Sequence, residues 1–196
     1  MKKILVLFIL LFFSSAFADD ISDFQIEGMS IGDSLLDNYT IDEINNASET
    51  PYANSDKYKQ ISFKVNKNSK YEELDFLFKK DDKKYIIKGL TGNKSFDNNL
   101  SKCKEFKNSV IKKISHSNLF QDMEREDYEW LYETLGDGKS IAYVTHFKFG
   151  SNNQGAVRLY CTKWSDATKK EHYVIDRFFV EITSQEILRW LTNNAY

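Results

Sequence analysis

Apolar residues recur with a period of two through the first half of the chain, in three short runs. In Tyr58–Val65 the residues Ile61, Phe63 and Val65 share a face, and in Tyr71–Phe78 the set is Leu74, Phe76 and Phe78. A third run, Lys84–Leu90, is carried by Tyr85, Ile86 and Ile87. Alternation of this kind marks strands with one buried face. The connections "NKNSK" and "KKDDKK" are short and polar, as hairpins require, so the strands are expected to be antiparallel.

The period changes over 97–116. Leu100, Cys103, Phe106, Val110, Ile111 and Ile114 follow one another at steps of three and four with lysines opposite, which predicts a helix with one buried stripe. The region 120–135 supports two readings: its glutamates favour helix, while Tyr128, Trp130 and Tyr132 alternate like a strand. After the break "LGDGKS" a second strand trio is expected. Ile141–Phe149 puts Ile141, Tyr143, Phe147 and Phe149 on one face, and Ala156–Lys163 does the same with Val157, Leu159 and Cys161. Tyr173–Ile182 alternates through Val174, Phe178, Val180 and Ile182. "GSNNQG" supplies a turn between the first two.

Capping boxes flank this pattern. Thr40-Ile41-Asp42-Glu43 opens a helix within residues 33–47, and Thr183-Ser184-Gln185-Glu186 introduces a last helix whose apolar side holds Ile187, Leu188, Trp190 and Leu191. The sum is an α+β protein: two antiparallel three-stranded meanders with helices packed on one side, plus a C-terminal helix. The order suggests a tandem ααβββ repeat with halves 28–92 and 97–182, within a single domain over 19–196.

Composition changes the picture at the N-terminus. "MKKILVLFILLFFSSAFA" has two lysines, an apolar run from Ile4 to Phe13 and the small-x-small site Ala16-Phe17-Ala18. This reads as a secretory signal cleaved after Ala18, its apolar core being shorter than the roughly 20 residues that span a bilayer. The expected location is a bacterial periplasm or the medium outside, with no membrane span once the signal is removed. Removal takes two lysines and no acid, moving the net charge from −2 to −4. That balance argues against nucleic acid as a partner.

Export also gives meaning to the only two cysteines, Cys103 and Cys161. In an oxidising compartment such a pair is expected as one disulfide. Both lie on faces read as buried, so the bridge is expected to tie the middle helix to a core strand.

One tetrapeptide invites a catalytic reading. Gly32-Asp33-Ser34-Leu35 spells the name of a serine esterase family in which the serine is the nucleophile. That family resemblance also requires a base, supplied by a late Asp-x-x-His. The three histidines, His116, His146 and His172, are preceded at that spacing by Lys113, Tyr143 and Lys169. Asp33 or Ser34 is therefore expected to cap a following helix, and Ser34 is carried only as a minor catalytic candidate.

Asp176 is the second such candidate, because it falls on a face read as buried. A structural pairing with Arg158 or a lysine is its default role. The acids Asp122, Glu124, Glu126, Asp127 and Glu129 lack the ligand alternation and central glycine of a calcium loop and are expected to form a solvated face. The histidines have no paired ligand spacing, so neither a metal nor any other cofactor is expected. Trp130 and Trp164 are the binding candidates, as rings that stack on a sugar or peptide.

"GMSIGDSLLDNY" also resembles the Gly-x-x-x-Gly-helix entry of small periplasmic ααβββ proteins, namely the BamE/SmpA-type envelope-assembly lipoproteins and the β-lactamase-inhibitor-like proteins. The chain departs from them in lacking a lipidated cysteine and a Gly-Pro after the second helix. What the resemblance implies is a non-catalytic module that binds another envelope protein or a small ligand. The rival expectations are a GDSL-type esterase using Ser34 and a carbohydrate-binding or carbohydrate-processing protein.

Overall fold

The structure, a computed structural model, describes residues 21–52, 56–115, 120, 123–148 and 155–194, with side chains through 191. The signal-peptide reading of 1–18, His116, Asp122, Phe149 and the "GSNNQG" turn lie outside the described residues. The elements run α1 (Ile41–Asn46), β1 (Ser48–Thr50), β2 (Tyr58–Lys64), β3 (Glu73–Lys79), β4 (Gly89–Ser95), α2 (Leu100–Ile114) and β5 (Glu124–Leu131). β6 (Ile141–Lys148), β7 (Gly155–Lys163), α3 (Asp166–His172), β8 (Arg177–Ser184) and α4 (Gln185–Asn194) follow.

The eight strands make one antiparallel sheet in the order β1-β2-β3-β4-β8-β7-β6-β5. The expected pair of three-stranded sheets is thus replaced by a single sheet. Its two strand sets meet where β4 pairs with β8, from Gly89 opposite Thr183 to Ser95 opposite Arg177. β8 follows every other strand in the chain yet sits near the middle of the sheet.

One face is packed. Ile61, Phe76, Leu90, Ile182, Val180, Leu159 and Val157 point into it and are at most 1% exposed. α2 lies across this face and is tied to β7 by the disulfide Cys103–Cys161, with 6.0 Å between Cα atoms. Lys107 in the same helix is buried. Its Nζ donates to the Tyr143 carbonyl and to Thr145 Oγ1, each at 3.1 Å, and Thr145 Oγ1 donates to Asp127 Oδ1 at 2.5 Å. Burial holds the Lys107 amine below its ordinary value, against the opposing pull of Asp127.

The N-terminal segment covers the rest of the packed face. Glu27 and Gly28, both at positive φ, turn the chain tightly between Ile26 and Met29. Ile26 then seats over Gly92, where a Cβ would stand 3.0 Å from the Tyr71 ring and 3.2 Å from Ile26 Cγ2. The glycine makes that approach possible.

Three expectations are corrected and one open reading is decided. Lys84–Leu90 is no sheet strand: β4 begins at Gly89, Tyr85 has φ +50°, and Lys84–Ile87 instead runs beside the N-terminal segment. The region 120–135 resolves to strand β5, pairing with β6 overriding its glutamate content. Tyr173–Asp176 precedes β8, and the short helix α3 separates β7 from β8.

Fourth, helices occupy both faces. α4 packs on the face opposite α2, burying Ile187 and Trp190 against Tyr58 and Leu77. Its cap is Ser184, one residue later than expected, accepting from the Ile187 amide at 3.4 Å. Glu186 reaches across to Tyr58 and Lys79 in place of closing a capping box.

Candidate functional site

Ser34 sits in a short antiparallel contact with Ile86 and caps the 3-10 turn Leu35–Asp37. Its hydroxyl accepts from the Leu36 amide at 3.1 Å and donates to the Lys84 carbonyl at 2.7 Å. Gly32 N–H donates to Ile87 O and Ile87 N–H to Asp33 O, each at 2.9 Å. Asp33 Oδ2 meanwhile accepts from the Ser30 amide at 2.7 Å. Every part of the tetrapeptide is engaged in holding the 30–35 segment to the 84–88 segment. No imidazole is among the hydrogen-bond partners of Ser34 within the described residues.

Asp176 is 3% exposed. Its Oδ1 accepts from the Trp164 amide at 2.8 Å and pairs with Lys169 Nζ at 3.0 Å, while its carbonyl accepts from Phe96 N–H at 3.0 Å. The partner is Lys169 of α3 and not Arg158, so the carboxylate fixes the junction of β7, α3 and β8. It faces no cleft.

On the other face α4 is the one helix that packs on the sheet among the described residues, and strand register orders the side chains in rows. One row is polar across seven strands: Ser62, Asp75, Thr91, Glu181, Arg158, His146 and Glu126. Ser62 Oγ donates to Asp75 Oδ1 at 2.6 Å, and Arg158 Nη2 donates to Glu181 Oε1 at 3.0 Å. Burial raises the Asp75 carboxyl above its ordinary range, and Glu73 adds to that while Ser62 opposes it. Burial lowers His146, and the nearby Arg158 and Lys148 charges lower it further. His146 Nε2 and Arg158 Nε are shielded from solvent with no hydrogen-bond partner among the described residues.

The next rows are aromatic toward β5. Tyr160 and Phe179 stack at 4.9 Å. At the end of the sheet Trp130, Tyr132 and Trp164 form a column, with ring centroids 6.1 Å and then 4.9 Å apart. Trp130 heads it and is 51% exposed, beside Tyr128 at 37%. Of the two tryptophan candidates, Trp130 is the open ring, and Trp164 is half-buried behind Tyr132. The strand alternation of Tyr128 and Trp130 carried that signal; the polar row did not show in the sequence, because its members come from seven separated strands.

Two hollows compete with this region and neither suits a ligand. The cavity beneath α4, lined by Asp75, Thr91, Glu181 and Ile187 among others, is about 40 Å³, which suits water. A depression of about 550 Å³ at the β2–β3 hairpin is lined only by Asp56, Lys57, Lys79, Lys80, Asp81 and Asp82, without the apolar walls of a small-molecule site. Among the described residues no group of three or more His, Cys, Asp or Glu is placed to hold a metal ion. No helix among them is long and apolar enough to cross a membrane.

No protein-family profile, no curated protein and no solved structure matches the chain.

Proposed function

We propose that the protein is an exported, non-catalytic binding module that holds another envelope protein or a small ligand against the β5–β7 end of its open sheet face. Trp130 is the observation that supports this most. An indole that is 51% exposed at the head of a ring column leaves apolar surface in water that a partner can cover. Full burial of a large apolar side chain contributes about 1.5–3 kcal/mol. The two side chains that a hydrolase or glycosidase reading would use are committed elsewhere, Ser34 to a cap and Asp176 to Lys169.

Export rests on Lys2, Lys3, the apolar run after them and the site ending at Ala18. The likeness to small periplasmic ααβββ proteins, and with it the tandem repeat of 28–92 and 97–182, belongs to the same reading. Its support is that each half places helix before an antiparallel strand run. The carbohydrate alternative draws on the same ring, since the apolar face of a sugar stacks on an exposed indole.

The test is a photo-crosslinking residue at position 130 in the protein expressed with its leader in a bacterial envelope. The expected result is a discrete adduct at 130 and none from the same residue at Ile41, which is 54% exposed on α1. Equal labelling at both positions sinks the proposal, as does covalent capture of Ser34 by a fluorophosphonate. N-terminal sequencing of the exported protein is expected to begin at Asp19.

A further inference from the structure

β5 is the last strand of the sheet. Among the described residues nothing pairs with its outer edge. Its pairing with β6 is unbroken from Glu124 opposite Lys148 to Leu131 opposite Ile141, with no bulge and no proline. The opposite edge, β1, is only Ser48–Thr50. A long regular edge exposes a row of backbone donors and acceptors, and most folds blunt such an edge or pair it. The side chains of β5 are nearly all exposed, and Leu131 at 45% and Trp130 at 51% leave apolar surface beside that row.

The charges on β5 decide what it suits. They are not an unbalanced acidic band that calls for a cationic partner. Glu126 pairs with Lys148 at 2.6 Å, and Asp127 pairs with Arg125 at 2.9 Å and lies near the buried Lys107 amine. Among the described residues Glu124 and Glu129 have no ion pair, so the strand carries the cation Arg125, shared with Asp127, near one end and the unpaired anion Glu129 near the other. Two copies in antiparallel array around a two-fold axis at Asp127 place Arg125 opposite Glu129, twice, on the same face. Glu126 then meets Tyr128, and Glu124 meets Trp130.

The one like-charge contact, Asp127 with its copy, falls on carboxylates already held by Arg125 and Thr145. Neighbouring registers are worse. Centring on Tyr128 sets Asp127 against Glu129 twice. Centring on Glu126 sets Arg125 against Asp127 twice but sets Glu126 against itself and shortens the overlap to 124–128, five of the strand's eight residues. Side chains directly opposite on neighbouring strands must lie on one face, so odd offsets are excluded.

We infer that the protein associates through β5 with a second copy of itself, in the register that sets Arg125 against Glu129, to form one sheet running through both molecules. The contact is isologous, the commonest symmetry of oligomers. It uses main-chain pairing for strength and one charge pair, repeated by symmetry, for register. The assignment stands on the edge and its charges and does not require the proposed binding role of Trp130. If both hold, the assembly presents two Trp130 columns on one continuous face.

Sedimentation equilibrium of the protein across a concentration series tests the inference. The expected result is a monomer–dimer equilibrium that either single substitution, Arg125→Glu or Glu129→Arg, weakens by about 10-fold or more, because symmetry turns two attractive contacts into two repulsive ones. The double variant Arg125→Glu/Glu129→Arg is expected to recover the dimer to within about 3-fold of the starting affinity. Glu129→Arg leaves the Arg125–Asp127 pair intact, so its effect does not depend on disturbing that local contact. A protein that stays monomeric throughout the series overturns the inference. A dimer indifferent to all three variants overturns it too, since it assembles elsewhere. Either outcome leaves crosslinking at position 130 free to succeed or fail separately.

Discussion

Reducing the disulfide is expected to lower stability by about 4 kcal/mol. The bridge joins residues 58 apart in sequence, and closing a loop of that size removes that much chain entropy from the unfolded ensemble. Both sulfurs lie in the core, Cys103 at 1% and Cys161 at 0% exposure, so the native packing changes little when the bond opens and the effect falls mainly on the unfolded chain. For a domain of this size each kcal/mol corresponds to roughly 2–4 °C in Tm, which gives a fall on the order of 10 °C.

Urea titrations of the oxidised protein and of the protein in excess phosphine reductant measure the difference directly. The m-value supplies a second readout. A released chain expands on unfolding and exposes more surface, so m is expected to rise on reduction. The double variant Cys103→Ala/Cys161→Ala is expected to lose at least as much, since it also empties two core positions. A difference below about 1 kcal/mol, with m unchanged, would refute the reasoning. It would mean that α2 and β7 stay associated in the unfolded ensemble without the bond.

Three further outcomes follow from the geometry. Ser34→Ala is expected to cost about 1 kcal/mol through the lost cap and to leave partner capture at Trp130 unchanged, as read by urea titration and crosslinking yield. Asp75→Asn keeps an acceptor for Ser62 and is expected to raise Tm at neutral pH. Because the folded carboxyl titrates above its unfolded value, the wild type binds the extra proton in the fold, and its stability falls as pH rises from the unfolded value through the folded one. That fall should be absent from the variant's Tm–pH curve and therefore appear in the difference between the two proteins' curves.

Tyr58→Phe removes the donor to Glu186 Oε1 at 2.6 Å and is expected to cost about 1 kcal/mol near neutral pH. Glu186 is held below its ordinary value by Tyr58 first and Lys79 second. Its contribution is present above the unfolded carboxyl value and is lost as pH falls through the folded one. The variant should therefore lose less on acidification than the wild type does.

What was legible in the sequence was local. The alternation in β2, β3 and β7 named residues that face the core, since a period of two is set by the strand itself, whereas in β6 only Phe147 of the named set is buried. The capping box Thr40–Glu43 is present with both reciprocal bonds, a matter of four adjacent residues. The disulfide was expected from the secretory reading of the N-terminus and two inward stripes. A cap at Asp33 or Ser34 was legible from adjacent residues, as the capping box was; that it is Ser34, and that its second partner is the Lys84 carbonyl 50 residues away, was not.

What failed was relational. Alternation says which side chains share a face but not which strands are neighbours, so nothing in residues 173–184 announced that β8 pairs with β4. The apolar side of α4 was evident, but an amphipathic stripe does not say which face of a sheet will receive it. The polar row through Asp75, Glu181, Arg158 and His146 needed four separate registers before it became a feature at all. Trp130 was legible as a candidate, and its openness was not, because that depends on β5 being an edge.

The position of β8 has a consequence for how the molecule comes into being. Strands one to four can assemble as the chain emerges, and so can five to seven, but each group is left with a raw flank until residues 177–184 arrive to bridge them. Synthesis from the N-terminus therefore delivers the keystone after the arch stones, and the nascent polypeptide has no complete sheet to settle into on the way. The last strand to be made is the one that licenses the fold.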